Sequence, residues 1–132
     1  MSDIIVALPQ KYAEDAAREA VDCIKAGGGK YFRCWRNKPT RLQAGDRVFY
    51  WENGYVVGFA IADSAPQFLP ERRCDTTGRL FDQGWYVFMD ARSWTWIRPI
   101  PMRGFRGLRY FDAPFEIVGG WLDPKPSVPA MF

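Results

Sequence analysis

Asp46-Arg47-Val48-Phe49-Tyr50-Trp51, Glu52-Asn53-Gly54 and Tyr55-Val56-Val57-Gly58-Phe59-Ala60-Ile61-Ala62 follow one another in this chain, and their reading decides the fold. Two runs of β-branched and aromatic residues are joined through Asn-Gly, the dipeptide that most readily takes the positive φ angles of a tight hairpin turn. The stretch therefore predicts an antiparallel hairpin. Ahead of it stands Lys30-Tyr31-Phe32-Arg33-Cys34-Trp35-Arg36, both basic and aromatic. Its ring content predicts that Tyr31 to Trp35 is extended. Asn37 to Gly45 connects the two, with Pro39 holding it off the sheet. Asp46, directly after Gly45, reads as a turn residue.

Outward from this centre the elements are shorter. Asp3 to Leu8 is nearly all apolar and predicts a short strand buried on both faces. From Lys11 to Ala26, the positions Ala13, Ala16, Ala17, Ala20, Val21 and Ile24 have the spacing of an amphipathic helix. Gly27-Gly28-Gly29 stops it as a C-terminal cap. Ser64 to Asp82, with Pro66, Pro70 and Gly78, predicts a long excursion. Trp85 to Ala91 and Trp94 to Arg98 read as separate strands, and Phe115 to Val118 as the last. One helix and five or six strands predict an α+β fold, a small mixed sheet or partly open barrel. It spans residues 1–122, followed by a Pro-rich tail over 123–132 that packs along the surface.

At 132 residues with 48% apolar and 17% aromatic content, the chain is one domain with a real core. The net charge of +3 is modest, but its distribution is uneven. No acid stands between Asp22 and Asp46, or between Asp90 and Asp112. Those two windows carry six and five of the 18 basic residues, leaving seven against 15 acids elsewhere. If both windows fold to one side, the protein has a cationic face.

The absence of histidine excludes Ser-His-Asp and Cys-His catalysis and His-ligated zinc. Three scattered cysteines, 23, 34 and 74, suit a reducing compartment and make no metal site. The apolar run Ile4 to Leu8 is too short for a signal peptide or a membrane span. These features predict a soluble cytoplasmic protein without cofactor, metal or membrane.

Arg103, Arg106 and Arg109 alternate with Phe105, Leu108 and Tyr110 among glycines. A spacing of three does not keep one face of a strand, so a loop is expected. Its guanidinium groups can pair with phosphates while Phe105 or Tyr110 stacks a base. The pattern equally suits a structural loop whose arginines cap carboxylates. Trp94 with Trp96, and Phe49 with Trp51, share faces and read as core. Trp35 is different, because Arg33 and Arg36 surround it and no apolar period includes it. Asp46, Glu52, Asp63, Asp90, Asp112 and Glu116 show no close pairing, so no acid/base dyad can be named.

The helix ending in Gly29-Lys30, then Arg33, then Ala44-Gly45-Asp46-Arg47-Val48, then Val56-Val57-Gly58 resembles the PUA-like superfamily, in particular its ASCH and EVE domains. Arg103-Gly104-Phe105-Arg106-Gly107-Leu108 is similar to the glycine-containing loop before their last strands. The resemblance implies a pseudo-barrel of five or six strands with one main N-terminal helix and a cleft beside it. Members bind RNA, or a modified base flipped into that cleft. By the same resemblance Lys30, Arg33 and Trp35 line the cleft and Arg103 and Arg106 flank it. The ASCH signature Gly-x-Lys-x-x-Glu-x-Arg lacks its acid here, since none stands between Lys30 and Arg36, and Tyr31 is the hydroxyl nearest Lys30.

The expectation is a nucleic-acid-binding module for RNA or a single-stranded or modified base. Lys30, Arg33, Trp35, Arg36, Arg103, Phe105, Arg106 and Arg109 would make one cationic groove. The alternatives are a small nucleoside amidohydrolase or ribonuclease using Lys30, and a protein-interaction domain using the tail.

Overall fold

Asn53 and Gly54 take φ angles of 48° and 93°, the left-handed pair that a two-residue type I′ turn requires. They join β3 (Arg47–Glu52) to β4 (Tyr55–Ala62) in antiparallel register, Glu52 opposite Tyr55 and Arg47 opposite Ile61. The computed structural model describes residues 2–8, 16–73 and 78–127. β1 (Ile4–Ala7) runs parallel to β3, and Ile4, Ile5 and Val6 are all buried, as an apolar run covered on both faces demands. α1 (Arg18–Lys25) carries the second half of the expected helix; residues 9–15 lie outside the described residues. Its end is a Schellman cap: Gly27 at φ 83° donates to the Ile24 carbonyl at 3.0 Å, and Gly28 to that of Cys23 at 2.9 Å.

The largest departure from expectation is β8 (Gly84–Pro101), one strand of 18 residues where two were predicted. Arg92 and Ser93, both polar, fall between the two predicted runs. Ser93 Oγ donates to the Asp90 carbonyl at 2.6 Å and accepts the Ile61 N–H at 2.7 Å. A side chain thus stands in for a ladder partner, and the strand bends without ending. β2 (Lys30–Trp35) and β5 (Gln67–Leu69) pair with the first half of β8; β10 (Ile117–Gly120) pairs with the second, and β4 reaches into both.

With β9 (Leu108–Tyr110) antiparallel to β1, the main sheet has eight strands and curls into a half-barrel. β6 (Arg72–Arg73) and β7 (Leu80–Phe81) form a separate ribbon. The expected five or six strands undercount because β5, β6, β7 and β9 have only two or three residues each, in Pro- or Gly-interrupted segments. The last strand begins two residues later than predicted. Phe115 is instead drawn into packing, 5.3 Å from Phe49 and 5.6 Å from Phe59 by ring centroid.

The period of two puts a core on each face. Ile4, Val6, Val48 and Tyr50 pack with Trp94, Trp96 and the α1 residues Ala20 and Cys23. Ile5, Phe49, Phe59 and Ile97 pack with Phe111 under Met102, Phe105 and Phe115. Between β4 and β8 the fit depends on Gly58. A Cβ there would lie 2.5 Å from the Thr95 carbonyl oxygen and 2.7 Å from the Trp94 ring. Gly58→Ala is therefore expected to destabilise the fold by roughly 1–3 kcal/mol or more, through overpacking. Gly29→Ala, where a Cβ meets nothing within 4 Å, should stay within about 1 kcal/mol. Urea unfolding midpoints test this, and equal midpoints for the two variants would count against it.

Candidate functional site

The pairing of β8 decides where the two basic windows go. β2 lies along its first half, from Lys30 opposite Asp90 to Trp35 opposite Trp85. Arg103 and Arg106 follow Pro101, which is opposite Tyr55 at the far end of the same strand. There Trp51 Nε1 donates to the Met102 carbonyl at 2.8 Å, and the Trp51 ring would meet a Cβ on Gly104 at 3.1 Å. Lys30–Arg36 thus lie along the first half of β8, whereas Arg103 and Arg106 follow its last residue. The windows do touch through the connector, where Arg41 stacks 3.8 Å from the Tyr110 ring centroid and donates its backbone N–H to the phenol at 3.0 Å.

Taken singly, the expected site residues have different fates. Lys30 pairs with Asp63 at 2.6 Å. Arg33 turns inward, its side chain only 21% exposed, to pair with Glu19 at 2.9 Å and lie 5.1 Å over the Tyr50 ring. Burial works against its charge, but Tyr50 and Glu19 outweigh that and hold its pKa above the usual guanidinium value. Tyr31, the hydroxyl beside Lys30, is buried 3.4 Å from the Tyr50 hydroxyl. Phe105 packs against Trp51 with Arg109 over its ring at 5.1 Å, while Arg103 and Arg106 stay exposed. Of the expected site residues, Trp35 and Arg36 line a cleft.

That cleft, of about 730 Å³, lies between the end of β2 and β5. Trp35 and Phe68 supply rings, Arg36 a cation, and Glu71, Asp82 and Gln83 polar edges. Gly84 shapes its floor, since a Cβ there would lie 2.9 Å from the Trp35 carbonyl oxygen and 3.0 Å from Cys34 Sγ. Phe68 is 56% exposed and sits edge-on to Trp85 at 5.4 Å, and Lys38 lies 4.9 Å over the other ring of that pair, Trp85. On the neighbouring ribbon Arg72 lies over Phe88 at 5.2 Å and Arg79 over Phe81 at 4.6 Å.

Sequence reasoning missed Phe68, Trp85, Arg72 and Arg79. Arg72 and Arg73 fall outside the acid-free windows because Glu71 and Asp75 flank them. The signal that could have found Phe68 is its place between Pro66 and Pro70, an aromatic held in a short extended segment.

Burial raises the Cys34 pKa, so the thiol beside the cleft is not an activated nucleophile. Burial and the Cys34 hydrogen bond push Tyr86, below the cleft, up to about 12. Among the described residues no His, Cys, Asp and Glu cluster could hold a metal, and no helix is long and apolar enough to cross a membrane. Comparison with protein-family models, curated proteins and solved structures finds no match to this chain.

The tyrosines give a direct test of the connector. Burial raises the Tyr110 pKa, but hydrogen bonds with Thr40 and Arg41 and the Arg41 charge outweigh it and lower the net value. Burial raises Tyr31, Tyr50 and Tyr86. In a phenolate absorbance titration the earliest step, below pH about 10, should belong to Tyr110 and vanish in Tyr110→Phe. For the three raised groups the unfolded chain ionises first, so stability holds below pH about 10 and falls above it. An early step that survives in Tyr110→Phe contradicts the assignment.

Proposed function

We propose that this protein is a nucleic-acid-binding module, a PUA-like domain of ASCH or EVE type that takes single-stranded RNA, or a base presented from it, in the cleft between β2 and β5. The observation that carries this reading is the shared lining of Trp35, Phe68 and Arg36. Every base has a π-face, and stacking on an aromatic side chain is worth about 1–3 kcal/mol. An exposed ring, Phe68, and a half-buried one, Trp35, next to a cation make a surface for a strand whose bases are unpaired, since bases within a duplex are already stacked. Lys38 over Trp85 adds a cation beside the ring path, and the size of the cleft falls within the roughly 300–1,000 Å³ of ligand sites. The reduced thiol of Cys34 supports a cytoplasmic setting.

Binding is favoured over hydrolysis because Lys30 is engaged by Asp63 and its hydroxyl neighbour Tyr31 faces the core. It is favoured over a role for the tail in protein interaction because the start of the tail is already held within the molecule. Trp96 Nε1 donates to the Asp123 carbonyl at 3.2 Å, and Lys125 pairs with the buried Glu52.

Fluorescence anisotropy with a labelled single-stranded RNA tests the reading. Trp35→Ala and Phe68→Ala are each expected to weaken binding about tenfold. Arg36→Ala should lower the salt slope by roughly one phosphate contact. The double variant Arg103→Ala/Arg106→Ala, at the far end of β8, should bind nearly as the parent does. Full binding by the Trp35 and Phe68 variants, with loss in the arginine pair, would reverse the assignment.

A further inference from the structure

The cleft holds more acid than a general phosphate-binding surface should. Glu71 and Asp82 both line it, with the Gln83 amide beside them, against the single lining cation Arg36. Both carboxylate residues are exposed, and neither forms an ion pair among the described residues. The Asp82 backbone carbonyl is already engaged by the Tyr86 hydroxyl at 2.8 Å, which anchors the residue at the cleft wall and leaves its side chain uncommitted. Next to a phosphate chain, two such carboxylates repel a ligand that offers them nothing. They are compensated only if the bound base presents N–H donors to them.

We infer, resting on the reading above, that this cleft selects guanine, the common base whose edge places two N–H donors side by side. Guanine N1–H and its exocyclic amino group match the two oxygens of one carboxylate, in the bidentate manner of a guanidinium on a carboxylate. Adenine and cytosine set their amino group next to a ring acceptor, so they make one such bond and face a repulsive second contact. Uracil flanks its single N–H with two carbonyl oxygens. Trp35 and Phe68 would stack the ring, Arg36 would hold the adjoining phosphate, and Glu71 or Asp82 would read the edge.

The test compares two labelled oligouridylates of about eight nucleotides, one carrying a single central guanosine, by anisotropy with the full chain. The guanosine-bearing strand is expected to bind about tenfold more tightly. Inosine in its place, lacking the exocyclic amino group, should lose most of that gain. Glu71→Gln and Asp82→Asn, at exposed positions where circular dichroism should show an unchanged fold, are expected to erode the preference while leaving plain oligouridylate binding equal or tighter. Equal affinity for the two strands, or a preference that persists in the Glu71→Gln/Asp82→Asn double variant, overturns the inference and leaves the binding reading standing. Binding of neither strand removes both.

Discussion

The edge of the Trp94 indole lies where any residue but glycine at position 58 would put a methyl group. That contact holds β4 against β8 at the bend of the long strand, and the rest of the architecture depends on it. Trp94 is 1% exposed, edge-on to Tyr50 at 5.2 Å and to Trp96 at 5.1 Å. One ring therefore ties the hairpin, the bend of β8 and the core beneath α1 into a single packed unit. Burial of rings of this size is the dominant favourable contribution to a small β-rich domain. A strand of 18 residues reaches beyond the width of its own core, so each end of β8 can carry a surface of its own.

What those ends carry follows from how the cations are committed. Arg33, Arg41, Arg72 and Arg109 all lie over aromatic rings, and Lys30 and Arg98 pair with carboxylates. An arginine stacked on a ring keeps its hydrogen-bonding fork available at the rim, so such pairs serve both packing and recognition when exposed. Arg33 does not qualify, because it is turned inward onto Tyr50 and Glu19. At the β2 end, Arg36 and Lys38 lie among the rings of Trp35, Phe68 and Trp85. This combination gives the strand end its proposed role.

Much of the fold could be read from local chemistry. Asn53-Gly54 determined both the turn and the register of the hairpin, Gly27 and Gly28 capped the helix, and Asp46 closed its turn by accepting the Gln43 N–H at 2.9 Å. The pairing of Trp94 with Trp96 as core was visible in their spacing. The continuity of β8 was not, because Ser93 substitutes a hydroxyl for a ladder partner and this shows only once Ile61 is beside it. The site was half legible for a similar reason. Trp35 and Arg36 stood out by composition, but counting charges along the chain grouped them with Arg103 and Arg106, which sheet pairing sets against different parts of β8. Phe68 and Trp85 become partners only through β5, a strand of three residues with no signal of its own.

Six indoles distributed over the molecule make RNA contact at the β2 end of β8 directly observable. In a titration of the nitrogen-labelled protein with single-stranded RNA, followed by nuclear magnetic resonance, the indole N–H signals report each location separately. With RNA in the cleft, the Trp35 and Trp85 signals are expected to move and those of the buried Trp94 and Trp96 to stay in place. Movement concentrated at Trp51, beside the loop that carries Arg103 and Arg106, would contradict it.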